Sequence, residues 1–210
     1  MIDVRAGIAA ACKLARREPS AVTLIAVTKG RSADEIEALI AAGQRNFGEN
    51  RVQEAASKWP AIRDRHPLVR LHMIGRLQSN KADEAVALFD SIHSLDRPSL
   101  LDALVRAGAK AGHFPPVHVQ VNIGGEEQKG GVAVGELPAF LDQVRDSPLP
   151  LAGLMCIPPL DQQPGPYFAL LAELARRHDV TGLSMGMSAD YETAVMLGAT
   201  AVRVGTALFD

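Results

Sequence analysis

Short apolar runs alternate with longer amphipathic segments from one end of the chain to the other. Runs of this length, rich in valine, leucine and isoleucine, predict buried β-strands. They lie at residues 22–27, 46–48, 71–74, 91–95, 117–123, 151–157, 182–187 and 201–209. The segments between them repeat their apolar residues every three or four positions, which predicts helices. These lie at residues 32–42, 50–65, 79–89, 97–111, 134–146, 165–178 and 189–198.

Local signals mark several helix ends. Ser32 followed by Glu35 fits a capping box, in which the hydroxyl and the carboxylate satisfy free N–H groups of the first turn. Ser188 with Asp190 is expected to open the last helix. Left-handed caps are expected at three glycines that follow predicted helices, namely Gly43, Gly112 and Gly198. The first twenty residues carry charges among periodic apolar positions, which predicts an extra N-terminal helix rather than a secretory signal.

Alternating strands and helices indicate parallel strands joined by right-handed crossovers. Eight strands are the number that a closed (β/α)₈ TIM barrel needs. We therefore expect one domain over residues 1–210, with the N-terminal helix covering the place of an eighth helix. An open doubly wound sheet is the alternative, but it predicts a GxGxxG turn after the first strand. Residues 28–32 read "TKGRS" at that turn.

The composition narrows the possible functions. The formal net charge is −2, the isoelectric point is about 6.3 and 4% of the residues are aromatic, so neither a basic field nor a stacking surface for nucleic acid is expected. The sequence has no apolar stretch long enough for a transmembrane helix. Its two cysteines, Cys12 and Cys156, have no metal-binding spacing and are expected to be core thiols in a reducing cytoplasm.

Chemically useful residues collect at the predicted carboxyl ends of strands, where barrel active sites lie. Lys29 follows the first strand, Asn50 ends the string "FGEN", and Arg203 precedes Gly205-Thr206 in the last strand. The chain has six lysines against sixteen arginines, so a lysine at this place is notable. A nest of N–H groups beside a hydroxyl binds phosphate. An amine, an arginine and such a nest together indicate a site for a phosphorylated aldehyde.

Purely structural interpretations of these residues remain open. Lys29 can be a solvated loop residue, Arg203 can pair with a structural carboxylate, and Asn50 can cap the helix that follows it. His72 and His93 are expected to be core histidines whose ring nitrogens are hydrogen-bonded, not ligands.

Several strings together resemble the YggS/PROSC family of pyridoxal phosphate homeostasis proteins. They are "AVTKG", "NFGENRVQE", "HMIGRLQSNK", "VNIGGEEQKGGV", "GLMCIPP", "LSMGMSADYETAV" and "VRVGTALF". The resemblance implies a barrel like the N-terminal domain of alanine racemase and a pyridoxal 5′-phosphate (PLP) cofactor. One departure is the string "KGRS" at 29–32, where many relatives have a "KTxP"-like run.

The resemblance also implies roles for six residues. Lys29 would hold PLP as an internal aldimine, that is, a lysine Schiff base. The phosphate would be bound by Ser184, Gly205 and Thr206, Asn50 would approach the cofactor, and Arg203 would face the pyridine nitrogen.

An arginine at that nitrogen limits the chemistry. It keeps its proton, so it can only donate a hydrogen bond to an unprotonated nitrogen, and the ring is then a weak electron sink. The expected function is PLP binding for vitamin B6 homeostasis without turnover. The alternative is an amino-acid racemase, which needs a second base opposite Lys29. The only two tyrosines, Tyr167 and Tyr191, fall in predicted helices.

The expected partners follow from this role. PLP is the ligand, PLP-dependent apoenzymes are the possible recipients, and the protein is expected to be a monomer. Lys81 and Lys129, which follow the third and fifth strands, could accept the aldehyde transiently during transfer.

Overall fold

The computed structural model of the protein describes residues 2–126 and 128–209. The strands in these ranges are β1 (Thr23–Val27), β2 (Asn46–Glu49), β3 (Arg70–Met73), β4 (Ser91–Leu95), β5 (Val117–Asn122), β6 (Val132–Ala133), β7 (Leu151–Met155), β8 (Gly182–Ser184) and β9 (Ala201–Val204). Eight of them are parallel neighbours in the order β4-β3-β2-β1-β9-β8-β7-β5. Because β4 also pairs with β5, the sheet closes into the predicted TIM barrel. The short β6 pairs with the end of β5.

Helices cover the outside of this barrel. They are α1 (Ile2–Leu14), α2 (Ala33–Ala41), α3 (Val52–Arg65), α4 (Ala82–Leu88), α5 (Pro98–Ala111), α6 (Leu137–Arg145), α7 (Gly165–Arg177), α8 (Tyr191–Met196) and α9 (Thr206–Phe209), with 3₁₀ turns at Pro19–Ala21 and Ser79–Lys81. Their apolar faces pack on strands that are buried on both sides, as in β4, where all five residues are buried. None of the helices in the described ranges is long and apolar enough to cross a membrane.

The N-terminal helix lies where the sequence predicts it. α1 packs against α8. Arg5 donates to the Gln44 side chain over 2.9 Å, and Arg17 donates to the carbonyl oxygens of Val195 and Ala199. These contacts hold α1 between α8 and the turn after α2, on the side of the barrel that an eighth helix would cover.

The predicted capping box and all three left-handed glycine caps are confirmed, since Gly43 and Gly198 have φ values of 90° and 105°. The Ser32 hydroxyl accepts the Glu35 N–H, and the Glu35 carboxylate accepts the Ser32 N–H over 2.8 Å, so the capping box is present. Gly112 ends α5 in the left-handed region at φ 75°, where a side chain would be strained. Cys12 and Cys156 are buried free thiols, as predicted.

The last strand and the last long helix differ from the prediction. β9 ends at Val204 instead of continuing to residue 209, because the Leu208 N–H donates to the Gly205 carbonyl and turns the chain into α9. The expected Ser188 cap is wrong: α8 begins at Tyr191 after Asp190, without a side-chain cap. The Asp190 carboxylate instead accepts the Met187 N–H over 2.6 Å.

Candidate functional site

A cavity of about 470 Å³ opens at the carboxyl ends of the barrel strands. This volume lies in the range of small-molecule sites, roughly 300–1,000 Å³. Its lining includes five of the six predicted site residues, namely Lys29, Asn50, Arg203, Gly205 and Thr206. The fold thus brings together residues from three separate strand ends.

Lys29 lies two residues beyond the end of β1 and is exposed at the cavity mouth. Within the described residues its amine has no hydrogen bond and no ion pair, so the nitrogen is available to a ligand. The preceding residue, Thr28, is fully buried and fixed on three sides. Its N–H donates to the Gly48 carbonyl, its hydroxyl donates to Glu49 over 2.6 Å, and its carbonyl accepts from Lys58 Nζ over 2.8 Å. Within the described residues, the unpaired amine of Lys29 is thus attached directly after a backbone that hydrogen bonds at Thr28 hold in place.

Glu49 holds Thr28 and the helix α3 in place through its carboxylate, a role that was not predicted from the sequence. Its carboxylate is completely buried and accepts from Trp59 Nε1 over 2.9 Å as well as from Thr28. Lys58 Nζ lies 2.8 Å from the same oxygen and compensates its charge. The signal available in the sequence is a glutamate at a strand end, in "FGEN", with a lysine nine residues later in the next helix.

Arg203 is buried inside the barrel, with only 4% of its surface exposed, and reaches the cavity floor. Its guanidinium donates to Ser184 Oγ over 2.7 Å and to the Cys156 carbonyl over 2.9 Å. It forms no ion pair with any carboxylate of the described residues. The alternative that Arg203 pairs with a structural carboxylate is therefore not met in this part of the chain. Burial lowers the pKa of the Arg203 guanidinium. Three of its five N–H donors have no partner in residues 2–126 and 128–209.

The turn after β9 lines another part of the cavity. The Gly205 N–H donates to Ser188 Oγ over 3.2 Å, and Thr206 begins α9 with its side chain exposed. Ser188 therefore lines the cavity instead of capping a helix. Arg31 also lines it, with its guanidinium 4.3 Å from the centre of the Phe209 ring.

Contrary to the prediction, Ser184 does not line the cavity, and Asn50 lines it without capping a helix. Ser184 is fully buried and lies outside the cavity lining, with its hydroxyl bonded to Arg203 and to His93. Asn50 is not a helix cap, since α3 begins at Val52 after Arg51. The buried Asn50 Oδ1 has no hydrogen-bond partner among the described residues, while Asn50 itself lines the cavity.

The other two rim lysines belong to neighbouring cavities. Lys81 lines a cavity of about 730 Å³ and is paired with Glu84 over 2.7 Å. Lys129 lines one of about 300 Å³ and is paired with Glu126 over 2.6 Å. These two amines form ion pairs, whereas that of Lys29 has no partner in the described part of the chain.

His72 and His93 are hydrogen-bonded inside the barrel, as predicted. Both ring nitrogens of His72 lie within hydrogen-bond distance of a partner, Ser91 Oγ at 2.7 Å and Asn46 Oδ1 at 3.0 Å. His93 likewise contacts Ser184 and Ser91. No group of three or more histidine, cysteine or acidic residues suited to a metal ion occurs among the residues that the structure describes.

Known proteins share both this sequence and this architecture. The family model for the alanine racemase N-terminal domain matches residues 3–210. A pyridoxal phosphate homeostasis protein of Aquifex aeolicus is 39% identical over 209 residues, which cover 95% of this chain and 91% of the relative. One from Escherichia coli strain K12 is 37% identical over 224 residues, which cover 100% of this chain and 94% of the relative. The chain belongs to the family of pyridoxal phosphate homeostasis proteins.

Solved structures agree with this family assignment. PipY of Synechococcus elongatus, in a structure with PLP bound, is 40% identical to this homeostasis-family chain. The match has a TM-score of 0.84 and covers 97% of this chain and 100% of the PipY chain. An alanine racemase of Clostridium difficile is 12% identical, with a TM-score of 0.71 and coverage of 98% of this chain and 56% of the racemase. The second likeness shows only that the barrel fold is shared.

Proposed function

We propose that this protein binds PLP through Lys29 and acts in PLP homeostasis as a single binding unit without turnover. The observation that carries the proposal is one cavity holding a lysine amine and a buried arginine, neither of which pairs with a carboxylate among residues 2–126 and 128–209. The amine of Lys29 would condense with the cofactor aldehyde, forming a C=N bond while the aldehyde oxygen leaves as water. The bound PLP of PipY and the names of the relatives support the ligand.

The donor set fits a phosphorylated pyridine. A buried guanidinium without a counter-ion is unfavourable, and a ligand with negative charge and a ring acceptor relieves that cost. Arg203 offers free N–H donors at the cavity floor, and Lys29 lies at the mouth. The hydroxyls of Ser188 and Thr206 and the backbone at Gly205 would hold the phosphate. Ser188 replaces Ser184 in this role because the Ser184 hydroxyl is already committed to Arg203.

Arg203 also disfavours catalysis. When bound, the cofactor supplies an electron sink that is strong only with a protonated ring nitrogen. The Arg203 guanidinium would donate a hydrogen bond to the ring nitrogen without giving up its proton, so the ring nitrogen would stay unprotonated. Carbanions next to the ring are then poorly stabilised, which is consistent with a binding role.

The racemase alternative needs a base on the face opposite Lys29. Neither tyrosine lines the cavity. Tyr191 donates to Glu192, and burial followed by that hydrogen bond raises the pKa of Tyr191. Tyr167 donates to Gln162. Both hydroxyls lie in other environments, so the binding role is the better supported of the two.

Exchange of the cofactor follows from the open rim. Lys29 is exposed at the mouth, so PLP can be released to apoenzymes that need it. Lys81 and Lys129 stay candidates for a transient transfer step, and a cytoplasmic location stays a prediction from the sequence.

Spectrophotometric titration with PLP tests the proposal. The wild type and Lys13→Ala, an exposed lysine of α1, are expected to develop the long-wavelength band of lysine-bound cofactor. Lys29→Ala is expected to lack this band. Equal bands in all three proteins would contradict the assignment of Lys29. Racemisation of L-alanine above the rate of Lys29→Ala would contradict the non-catalytic role.

A further inference from the structure

A continuous chain of hydrogen bonds crosses the barrel interior and ends at the cofactor cavity. We name it the histidine relay; its members are, in order, Asn46, His72, Ser91, His93, Ser184 and Arg203. The five links measure 3.0, 2.7, 3.0, 2.8 and 2.7 Å. The members come from β2, β3, β4, β8 and β9, so the relay joins strands from distant parts of the sequence.

The two ends of the relay fix its direction. A guanidinium can only donate, so Ser184 Oγ accepts the Arg203 proton. The Ser184 hydroxyl keeps one proton to donate, and His93 Nδ1 is the acceptor within reach in the described structure. The remaining ring nitrogen of His93, Nε2, therefore carries a proton and donates to Ser91.

The same reasoning extends to the far end. Ser91 accepts from His93 and donates to His72 Nδ1. His72 Nε2 then carries the proton and donates to Asn46 Oδ1, an oxygen that can only accept. Each link has one donor and one acceptor, and both histidines are neutral with the proton on Nε2. A reversed tautomer at either ring would place two donors or two acceptors face to face.

The surroundings keep the rings neutral. Burial, followed by the positive potential of its neighbours, lowers the pKa of His93 well below its ordinary value, and burial lowers the pKa of His72 to about 4. The His118 ring stacks on His93 with 4.0 Å between ring centres, and burial lowers its pKa to about 3. A charged imidazole beside the Arg203 cation would be repelled, whereas a neutral ring can accept through Ser184.

We propose that His93, Ser91 and His72 are positioning residues that orient the Arg203 guanidinium toward the cofactor ring through Ser184. One N–H of Arg203 donates to Ser184, the last hydroxyl of the relay, and a second N–H donates to the Cys156 carbonyl. The planar group is thereby held with its other donors directed to the cavity. This inference rests on the proposed function, because it assigns Arg203 to the ring of bound PLP.

The tautomers can be measured without any cofactor. Long-range ¹H–¹⁵N correlation spectra of the ligand-free protein at pH 7 report which ring nitrogen of each histidine is protonated. We expect the Nε2–H form for both His72 and His93. The Nδ1–H form or a charged imidazolium at either ring overturns the relay, whether or not PLP binds.

A matched pair of variants on β4 tests the effect on the site. Ser91→Ala removes a relay hydroxyl three links from Arg203, whereas Ser94→Ala removes a buried hydroxyl that has no partner among the described residues. We expect Ser91→Ala to weaken PLP affinity roughly fivefold, as for loss of one hydrogen bond, and to shift the absorbance of the bound cofactor. Ser94→Ala is expected to leave the affinity and the spectrum unchanged.

The outcomes separate this inference from the function it rests on. A wild type that does not bind PLP refutes the proposed function and, with it, the positioning role. Normal binding in the wild type with identical affinity and spectrum in Ser91→Ala and Ser94→Ala refutes the relay alone. If Ser91→Ala fails to fold, Ser184→Ala removes the adjoining link, and an unchanged spectrum in that variant has the same meaning.

Discussion

The buried ion pair between Glu49 and Lys58 gives the sharpest stability prediction. Glu49 is fully buried, the Lys58 side chain is 12% exposed, and Nζ lies 2.8 Å from Oε1. Removing one partner of such a pair costs about 3–5 kcal/mol of the free energy of unfolding, because the other charge stays buried. Lys58→Met leaves the Glu49 carboxylate without its cation, so about 4 kcal/mol is expected.

Replacing the other partner of the ion pair, Glu49, is expected to reduce the free energy of unfolding by less. In Glu49→Gln, Lys58 retains Glu54 at 3.0 Å and the Thr28 carbonyl at 2.8 Å, so the cost is about 3 kcal/mol. The double variant removes both charges and is expected to lose clearly less than the sum. The coupling energy is then about 2–3 kcal/mol.

Urea unfolding of the four proteins, followed by circular dichroism, measures this coupling. Urea is the appropriate denaturant because guanidinium chloride screens ion pairs. The control cycle uses the exposed pair of Asp83 and Lys110, whose side chains are 58% and 75% exposed and for which no resolvable coupling is expected. Equal coupling in the two cycles would refute the reasoning.

Three further predictions concern acid, a close backbone contact and a thiol. Stability is expected to fall as the pH drops from about 6.5 to about 4, because the unfolded chain takes up histidine protons that buried His72, His93 and His118 do not accept. Each contributes a slope of about 1.4 kcal/mol per pH unit, so urea unfolding at several pH values should show a shallower slope in His118→Phe; an unchanged slope argues against this. Gly75→Ala would place a Cβ 2.3 Å from the Asn50 carbonyl oxygen, so weaker PLP binding and about 1–3 kcal/mol of destabilisation are expected, against no change for Gly135→Ala, which has open space. Burial raises the pKa of the Cys156 thiol to about 12, so iodoacetamide should modify it only after unfolding; rapid labelling of the native protein, detected by mass spectrometry, would contradict this.

The barrel was predictable because each strand and helix is marked by its own local pattern. Alternation of apolar runs and amphipathic segments, with a capping box at Ser32, specifies eight parallel strands with helices between them, and the lack of a GxGxxG turn after the first strand favours a closed barrel over an open doubly wound sheet. The end of β9 was not predictable in the same way. Its apolar pattern continues through Phe209, but the hydrogen bond from the Leu208 N–H to the Gly205 carbonyl turns the chain into α9, a contact that the pattern does not encode.

The candidate site was only partly predictable for a related reason. Lys29, Asn50, Arg203, Gly205 and Thr206 follow strand ends directly, so their place at the rim follows from the fold. Ser184 and Ser188 flank "MGM" and look equivalent in the sequence. The turn between them contains Gly186 at φ 95°, which places one hydroxyl beneath Arg203 and the other at the cavity.

The supporting network could not be found from the sequence. Glu49 and Lys58 lie nine residues apart, and only the packing of α3 on β2 brings their charges together out of water. The histidine relay depends in the same way on closure of the barrel, which brings His93 of β4 across to Ser184 of β8.

Peptide mapping after borohydride reduction tests the central claim most directly. The wild type is loaded with PLP, reduced, digested and analysed by mass spectrometry, which locates the lysine that carries the cofactor. The cofactor is expected on the peptide that contains Lys29. Its presence chiefly on the peptides of Lys81 or Lys129, or on no peptide, would contradict the account of this site.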